Sequence, residues 1–598
     1  MNNYMVIDIE TYDPNLLKKG PGVYRKDGYI LGVGVYAPFM NYKAYLNLAH
    51  PDVTKEEKSK NIEILRKLFI DPCSKVFVNA LYDLAWLCNG EYKFKLNGKF
   101  EDVITREGFL DPFAAHYNLD FLSKKYGREG KREDKIQKIC NANNWKGAPQ
   151  SHLWKMNAGD LKEYMEGDLE EPAAIFEAQQ PLLEEQHLIE INDIECRLLP
   201  CLIYMQGCGY RVDEKRRQEV SVFLHNKYKE ALATFEEKYG WLPDFGKAKD
   251  LEKLWIQCKL PLEYTAKGNL MFNAEVLMRS GEVGDDITKI KTIKQVLNNY
   301  VDGSMVEYVC PDGKIHATLY PSRKDTGGTV TGRFSCANPN LQQIPAKHEK
   351  FGEEIRSILI PEEGCWLAAP DFKQIEYRVL SHFAVGPGAI TLRKTYNEDP
   401  KTDYHKFVQD LTGLDRKHAK NMNFGILYGM GLNTMMSKFH MTLEQCQEVN
   451  KTYMGKMTFI KPTRAAVEGT LKRRGYVRTL LGRHARVRPD MMKDGKLYPI
   501  LNYLIQGSAA DIMKKAMVDC YERGLFFTCI PHMTVHDELC ISVPKTKEGM
   551  ACYEEIRKCM ENAIKLDVPL MTDPDMGENW GSVSEENYLK YKKEVGLA

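Results

Sequence analysis

The chain has 598 residues, with 83 basic and 82 acidic side chains and a net charge of +1 at pH 7. Its hydrophobic content of 43% and charged content of 28% are typical of a folded protein and exclude global disorder. A chain this long contains roughly four domain-sized units. The balanced charge neither supports nor excludes a nucleic-acid partner, because such a partner requires clustered cations rather than a basic average.

The sixteen cysteines form no Cys-x-x-Cys pair, which disfavours a structural zinc site and favours reduced thiols. The N-terminal segment has no basic flank followed by a long apolar stretch, so no secretory signal is expected. No apolar run approaches the length of a transmembrane helix. We therefore expect a soluble, intracellular and cytoplasmic protein.

The first 185 residues alternate between strand and helix patterns. Residues 4–10 and 76–78 predict strands, the segment 82–87 predicts a helix, and 160–186 predicts a long helix rich in Glu, Leu and Ala. This alternation predicts an α/β domain.

The remainder of the chain predicts an α+β body. Residues from about 187 to 310 are mostly helical in pattern, strands return after Gly313, and long helices dominate 390–475. Near the end, residues 533–535 and 539–543 predict two strands around an acidic turn, His536-Asp537-Glu538.

Carboxylates in the first domain fall at positions that bring them onto common faces. Asp8 and Glu10 lie two apart on a strand, and Tyr164 and Asp168 lie four apart on a helix. Asp83 follows the second strand. Converging carboxylates can hold two divalent ions that activate a water for phosphodiester cleavage. Each pair taken singly is far more often a solvated surface pair.

A second set of candidate residues lies in the C-terminal two-thirds of the chain. Asp371 follows an apolar strand pattern and Asp537 lies in the late acidic turn, so the two aspartates form a candidate two-metal pair for phosphoryl transfer. A helical stripe with a four-residue repeat could hold a triphosphate through its cations and a base through its aromatics. A surface cation pair leading into a buried aromatic edge explains that stripe equally well. Its residues are Arg416, Lys420, Phe424 and Tyr428.

These segments together resemble the DNA polymerase I-like family (family A). Residues 371–378, 416–429 and 535–538 resemble its motifs A, B and C, and residues 331–345, 475–483 and 502–512 match further family segments. Residues 8–11, 79–83 and 164–168 resemble the exonuclease motifs of the DEDDy proofreading nucleases, which have a ribonuclease-H-like fold. The resemblance covers nearly the whole chain.

The resemblance implies an α/β exonuclease domain followed by a right-hand polymerase body. The expected domains are the exonuclease (1–186), the thumb (187–312), the first part of the palm (313–390), the fingers (391–490) and the second part of the palm (491–598). The 5′-nuclease domain of many bacterial relatives is expected to be absent, as in bacteriophage replicative polymerases. We therefore expect DNA synthesis with 3′→5′ proofreading in replication, with a viral origin.

The resemblance also implies roles for individual residues. Two Mg²⁺ ions are expected on Asp371 and Asp537, and two more on Asp8, Glu10, Asp83 and Asp168, with Tyr164 orienting the attacking water. Lys420 is the expected proton donor to pyrophosphate. The other nucleotide contacts implied are Arg416, Phe424, Tyr428, His405, Gln374 and Glu376, of which Glu376 would block a ribose 2′-hydroxyl. The DNA contacts implied are Arg333, Asn502, Gln506, His536, Lys347 and Arg483. Glu538 is expected to be a supporting carboxylate.

Cations outside the motifs are further candidates for contacts with the DNA backbone. Residues 472–488 contain seven Lys or Arg residues and no acidic residue, and Lys289, Lys291 and Lys294 lie in the expected thumb. Two departures from the family pattern lie at Lys373, after Asp371, and at Lys347, where an arginine is common. The expected partners are primer–template DNA and dNTPs, without a membrane. A helicase, a single-strand binding protein or a processivity factor is a further partner that the sequence does not identify.

Several other functions are less consistent with the sequence. A nuclease with a decayed polymerase body should have lost Asp371, Asp537 or Lys420, and a polymerase with a dead editing domain should have lost its N-terminal carboxylates. A silent DNA-binding scaffold needs neither set. A single-subunit RNA polymerase is disfavoured by Glu376 and Phe424.

Phe424 gives a direct test of the resemblance. In this family a phenylalanine at the corresponding position goes with rejection of dideoxynucleotides, so Phe424→Tyr is expected to increase their incorporation strongly. Chain termination on a sequencing gel measures the effect, and unchanged termination would contradict the placement of Phe424.

Overall fold

The computed structural model describes residues 3–597 except 266, 324, 326, 348–349, 405, 407–408, 411–412, 414–415 and 440. Residues 416, 417 and 424 are described by their backbone alone. The predicted nucleotide contact His405 therefore lies outside the described residues. Within these residues, no helix combines the length and the apolar composition that a membrane span requires.

A five-stranded mixed sheet organises the first 110 residues. Its strands are β1 (Tyr4–Tyr12), β2 (Tyr29–Ala37), β3 (Tyr42–Asn47), β4 (Ser74–Phe77) and β5 (Phe100–Asp102), in the order β3-β2-β1-β4-β5. The predicted strands at 4–10 and 76–78 are confirmed. Ile7 and Ile9 are buried on one face of β1, so Asp8 and Glu10 lie on the opposite face. A register irregularity follows Glu10.

Helices cover this sheet and connect it to the next region. They are α1 (Leu16–Lys19), α2 (Lys55–Phe69), α3 (Ala80–Asn89), α4 (Val103–Leu110), α5 (Leu119–Lys125), α6 (Asp134–Ala142) and α7 (Lys162–Glu185). The long helix predicted at 160–186 is confirmed as α7, which follows a 3₁₀ turn at Ala158–Leu161. Because α7 packs against β1 and β2, its inward face lies over the carboxylates of β1.

The segment from 189 to 307 is mainly helical, as predicted. It contains α8 (Ile189–Cys208), α9 (Glu214–Tyr239), α10 (Ala248–Gln257), α11 (Ala274–Arg279), α12 (Gly281–Val296) and α13 (Met305–Glu307), with a π-helical turn at Leu297–Ser304. One short strand, β6 (Tyr210–Val212), interrupts these helices and pairs with two later strands.

The later strands build a six-stranded sheet and three smaller pairings. They are β7 (Lys314–Ile315), β8 (Thr318–Tyr320), β9 (Ser335–Ala337), β10 (Leu359–Ile360), β11 (Cys365–Ala368), β12 (Asp371–Phe372), β13 (Val477–Arg478), β14 (His484–Ala485), β15 (Ile530–Val535), β16 (Glu538–Pro544), β17 (Thr572–Asp573) and β18 (Met576–Gly577). The large sheet has the order β17-β12-β16-β11-β18, with β15 paired to β16. The predicted strands around the turn at Asp537 are confirmed as β15 and β16.

Helices of the C-terminal region flank this sheet and extend away from it. They are α14 (Gly352–Arg356), α15 (Ile375–Phe383), α16 (Ala389–Glu398), α17 (Arg416–Leu427), α18 (Leu432–Phe439), α19 (Leu443–Lys456), α20 (Ile460–Arg474), α21 (Pro489–Lys493), α22 (Pro499–Glu522), α23 (Lys547–Asn562) and α24 (Glu585–Glu594). The helical segment predicted at 390–475 is confirmed for the residues that the structure describes.

Candidate active sites

The first site is a carboxylate cluster between β1 and α7. One carboxylate oxygen each from Asp8, Glu10 and Asp168 lies within 4.8 Å of the others. Burial and the charge of Asp168 raise the pKa of the Asp8 carboxyl well above its ordinary value. Burial and the charges of Asp8 and Asp168 do the same for Glu10. Mutual repulsion of this kind is relieved by a bound cation.

Asp83 and Tyr164 border this cluster. The Asp83 side chain accepts a hydrogen bond from the Ile9 backbone N–H at 3.2 Å, and burial together with the charge of Asp8 raises the pKa of the Asp83 carboxyl. Tyr164 is buried on α7, and burial together with the charges of Glu10, Asp168 and Asp8 raises the pKa of its hydroxyl. The five residues predicted from the sequence therefore lie together in the structure. Asp83 lies outside the group formed by Asp8, Glu10 and Asp168.

Lys131 is a component of this site that the sequence did not reveal. Its ammonium lies 3.7 Å from Asp168 Oδ1 and 5.6 Å from the centre of the Tyr164 ring. Its charge lowers the pKa values of Asp8, Glu10 and Asp168 and so opposes their repulsion. It lies between α5 and α6 in a basic loop, and no local pattern marks it.

Cations of the Mg²⁺ type fit this cluster because its donors are carboxylate oxygens. Among the described atoms, the buried Asp168 Oδ1 has no hydrogen-bond partner. An unpaired buried carboxylate oxygen is costly unless a cation or water occupies the site.

The second site lies at the ends of β12 and β15 in the large sheet. Asp371 opens β12 and pairs in register with Glu538 and Asp573, while Asp537 occupies the turn between β15 and β16. His536 has a φ of 59° in that turn, which points the chain sharply back into β16. The Phe372 N–H donates to the Asp537 carbonyl at 3.3 Å. The backbone thus places both predicted metal ligands side by side.

The electrostatics of Asp371 and Asp537 indicate a cation site. Burial and the charge of Asp537 raise the pKa of the Asp371 carboxyl well above its ordinary value. Burial and the charge of Glu376 raise that of Asp537. The buried Asp371 Oδ1 has no hydrogen-bond partner within the part of the chain that the structure describes. Two carboxyl groups that repel one another when ionised therefore lie side by side, and a bound cation would relieve this repulsion.

Glu538 differs from these two aspartates because other groups already bind its oxygens. The Trp580 indole Nε1 donates to Glu538 Oε1 at 2.7 Å, and the Arg356 guanidinium lies 3.8 Å from Oε2. These contacts agree with the supporting role predicted for Glu538.

Lys373 departs from the family pattern, and the structure supplies it with a partner. Its ammonium lies 2.6 Å from Asp573 Oδ1 on β17, and Asp573 adjoins Asp371 in the sheet. The additional cation is therefore neutralised locally rather than directed at Asp371.

The predicted triphosphate contacts Arg416 and Lys420 lie on helix α17. The charge of Lys420 lowers the pKa values of both Asp371 and Asp537, so its ammonium lies within electrostatic range of the two carboxylates. Arg416 and Phe424 lie on the same helix one turn to either side. Their side chains are not among the described atoms.

Glu376, Arg333 and Tyr428 meet beside Asp537. The Arg333 guanidinium forms an ion pair with Glu376 Oε1, and the Tyr428 hydroxyl donates to Oε2 at 2.5 Å. Both oxygens of the predicted sugar-selecting residue are therefore held in place, which fixes the position of its carboxylate.

Gln374 binds the segment that precedes the predicted phosphate contact His405. Its Nε2 donates to Asp403 Oδ1 at 3.1 Å and to the Thr402 carbonyl at 3.2 Å, and its Oε1 accepts from the Tyr404 N–H at 3.3 Å. The Gln374 side chain therefore fixes the segment 402–404 through hydrogen bonds.

The remaining predicted DNA contacts differ in their surroundings. Asn502 and Gln506 share a face of α22, and the buried Asn502 Oδ1 has no hydrogen-bond partner among the atoms described. Arg333, His536 and Asp537 line one cleft in front of this helix. The Lys347 ammonium donates to the Val583 carbonyl at 2.7 Å.

The prediction that Arg483 contacts DNA is wrong. Its guanidinium is buried, 2.6 Å from Glu195 on α8 and 3.4 Å from Asp511 on α22. It also packs under Gly332, where an added Cβ would lie 2.5 Å from the guanidinium. Two carboxylates and a tight backbone contact enclose the charge, so no surface remains for a phosphate.

The basic run at 472–488 is accordingly not one continuous surface. Lys472, Arg473, Arg474, Arg478 and Arg488 are exposed, whereas Arg486 donates to the Leu110 carbonyl at 2.6 Å. A local charge run cannot distinguish the two groups, because distant residues decide which cations are buried.

Arg483→Met is expected to destabilise the protein by about 3–5 kcal/mol, because it leaves buried carboxylates without their partner. The control Arg478→Met removes an exposed arginine from the same run and should change stability by about 0.5 kcal/mol or less. Thermal unfolding monitored by circular dichroism measures both. Unchanged unfolding with weakened DNA binding in Arg483→Met would restore its role as a phosphate contact.

Known proteins show which family shares this architecture. The sequence model of DNA polymerase family A matches residues 215–582. A DNA-directed DNA polymerase of Pseudomonas phage M6 is 30% identical over an alignment that covers 96% of this chain and 94% of the phage protein. DNA polymerase I of Geobacillus stearothermophilus is 29% identical, and the alignment covers 81% of this chain and 56% of that enzyme.

A solved structure agrees with these sequence matches. The POL domain of Pol1 from M. smegmatis, in complex with DNA primer-template and dNTP, superimposes with a TM-score of 0.78 over 97% of this chain and 96% of that domain, at 20% identity. The chain thus shares the fold of this POL domain. The chain belongs to DNA polymerase family A.

Proposed function

We propose that this protein is a template-directed DNA polymerase that extends a primer 3′ end with dNTPs and removes mispaired 3′ ends with a separate 3′→5′ exonuclease. The observation that carries the proposal is the presence of two carboxylate clusters, in each of which one buried oxygen accepts no hydrogen bond from the described atoms: Asp168 Oδ1 in one and Asp371 Oδ1 in the other. The phage relative supports a role in viral DNA replication.

Divalent metal ions, generally used by this family, fit both clusters. When bound, pairs of Mg²⁺ would activate the attacking oxygen and stabilise the leaving oxygen of an in-line displacement. In the polymerase site Asp371 and Asp537 would hold them. In the exonuclease site the holders would be Asp8, Glu10, Asp83 and Asp168.

Other residues of the polymerase site would bind the incoming nucleotide and select its sugar. Lys420, together with Arg416, would bind the triphosphate, and its Nζ would donate a proton to the departing pyrophosphate. Glu376, held by Arg333 and Tyr428, would occupy the space that a ribose 2′-hydroxyl needs. Phe424 would pack against the sugar.

Recognition of the primer end would come from the face of α22 and the turn before β16. Asn502 and Gln506 would donate to minor-groove acceptors of the newest base pairs, which vary little among correct pairs and thus report pair shape. Arg333 and His536 line the same cleft.

In the exonuclease site Tyr164 would orient the attacking water through its hydroxyl. The proposal is supported by the position of Tyr164 close to Asp168 and Glu10, where burial and the charges of these carboxylates raise the pKa of its hydroxyl. The substrate would be the single-stranded 3′ end of DNA.

A gel assay with an end-labelled primer annealed to a longer template, in Mg²⁺, tests both activities. Extension with the four dNTPs and 3′ shortening without them are the expected results. Shortening alone would reject the polymerase site, extension alone would reject the exonuclease, and neither would favour a silent DNA-binding scaffold.

A further inference from the structure

Two cysteine pairs face one another across the junction of α22 and α23, away from both candidate active sites. Cys520 on α22 is fully buried, and its thiol lies close enough to the Cys559 thiol on α23 for each to shift the pKa of the other. About two turns closer to the start of α23, Cys552 lies near Cys529, and these two thiols also shift each other's pKa. The structure therefore contains two related thiol pairs with different surroundings.

The Cys559 sulfur has a cationic partner. The Arg523 guanidinium at the end of α22 donates to Cys559 Sγ at 2.8 Å. In the other pair, the Cys552 thiol donates to the Leu525 carbonyl at 3.4 Å, and the Cys529 thiol donates to the Gly549 carbonyl at 3.6 Å. A guanidinium beside a sulfur favours the thiolate, and among the described residues neither Cys529 nor Cys552 accepts a hydrogen bond from a cationic side chain.

Small reagents can reach Cys559 through a cavity. The cavity has a volume of about 300 Å³ and is lined by Asp519, Glu522, Arg523, Lys558, Cys559 and Asn562. The neighbouring Cys520 thiol and the Arg523 guanidinium lower the pKa of the Cys559 thiol to about 7, against the opposing effects of burial and Asp519. Glu555, one turn away on α23, binds both Arg523 and Lys558.

We propose that Cys559 and Cys520 are a redox-sensitive thiol pair that reacts with low-molecular-weight disulfides. The Cys559 thiolate attacks one sulfur of the reagent, forms a mixed disulfide and releases one reagent thiolate. Cys520 then loses its proton to solvent and attacks the Cys559 sulfur, which forms the Cys520–Cys559 bond and releases the second reagent thiolate. Two protein thiols are oxidised and one reagent disulfide is reduced to two thiols.

This bond would link the C-terminal ends of α22 and α23. Helix α22 carries Asn502 and Gln506 near its other end, and α23 packs against β16. The pair is thus a modification site on the same sheet-and-helix unit that holds the polymerase carboxylates.

Peptide mass mapping of the full chain after exposure to oxidised glutathione tests the proposal. We expect a Cys520–Cys559 cross-linked peptide to accumulate first, while Cys529 and Cys552 stay reduced. In Cys520→Ala, glutathione should remain attached to Cys559. Earlier reaction of Cys552, which is the more exposed cysteine, would overturn the proposal.

The role of Arg523 is tested by the rate of Cys559 modification at pH 7. Arg523→Gln should slow that rate by about tenfold or more, because the thiolate fraction falls. Lys558→Gln removes another cation of the same cavity and should change the rate by about twofold at most. The rate at Cys552 provides the internal reference. Equal effects of the two substitutions, or an unchanged rate in Arg523→Gln, would contradict the mechanism.

Discussion

Replacing Asp537 with alanine is expected to lower the rate of primer extension by about a thousandfold or more, since a ligand of two-metal catalysis is worth several kcal/mol in the transition state. The remaining aspartate, Asp371, lacks a second carboxylate to share a cation. Degradation of the 3′ end should continue at the normal rate, because its carboxylates lie on a different sheet. Single-turnover extension and degradation on the same labelled primer measure both rates.

The adjacent Glu538→Gln variant is the matched control for this experiment. Glutamine retains an acceptor for the Trp580 indole, which donates to Glu538 at 2.7 Å, and the pairing with Asp371 in the sheet is a backbone contact. We expect extension in Glu538→Gln to fall by less than about tenfold, since it removes a charge but no metal ligand. Loss of both activities in Asp537→Ala, with an unchanged circular dichroism spectrum, would reject two independent sites.

Local sequence patterns predicted the elements that carry the candidate catalytic carboxylates. The apolar alternation at 4–10 predicted β1, and spacing of two residues correctly placed Asp8 and Glu10 on one face. The strands predicted at 533–535 and 539–543 correspond to β15 and β16, and Asp537 lies in the turn between them. These predictions held because burial of one face fixes the periodicity of each element.

Contacts between distant segments could not be predicted in the same way. The basic run around Arg483 resembles an exposed DNA-binding strip, yet Glu195, nearly 300 residues earlier, binds that guanidinium in the interior. Lys131 reaches the Asp168 carboxylate from a loop whose sequence has no periodicity. Both depend on the path of the chain in three dimensions, which charge patterning alone does not determine.

Some features depended on the resemblance to a family and not on residue physics. The stripe at Arg416, Lys420, Phe424 and Tyr428 was equally consistent with a surface helix. The structure now places the Lys420 charge near Asp371 and Asp537 and the Tyr428 hydroxyl on Glu376. These contacts favour the nucleotide-binding interpretation for the two residues whose side chains are described.

Asp8→Ala is expected to have the opposite effect to Asp537→Ala. Removal of one carboxylate from the group of Asp8, Glu10 and Asp168 should lower 3′ degradation by about a thousandfold or more, because the cation pair loses a shared ligand. Primer extension should remain within about twofold of normal. Degradation of a labelled single strand without dNTPs measures the first rate.

Thermal unfolding checks whether the Asp8→Ala variant is folded, because the raised pKa of Asp8 predicts the direction of the change in stability. Because burial and the charge of Asp168 raise the pKa of Asp8 above its unfolded value, its ionised form opposes folding at any pH above that unfolded value. Without metal at neutral pH, the variant should therefore unfold at the same temperature as the parent or higher. The control Glu166→Gln alters a carboxylate between Tyr164 and Asp168 on α7 whose charge acts on Lys43, and it should retain degradation. Normal degradation by Asp8→Ala together with lost degradation by Glu166→Gln would contradict the proposed site. The nuclease chemistry would then involve the face of α7 that carries Glu166 and not the face that carries Tyr164 and Asp168.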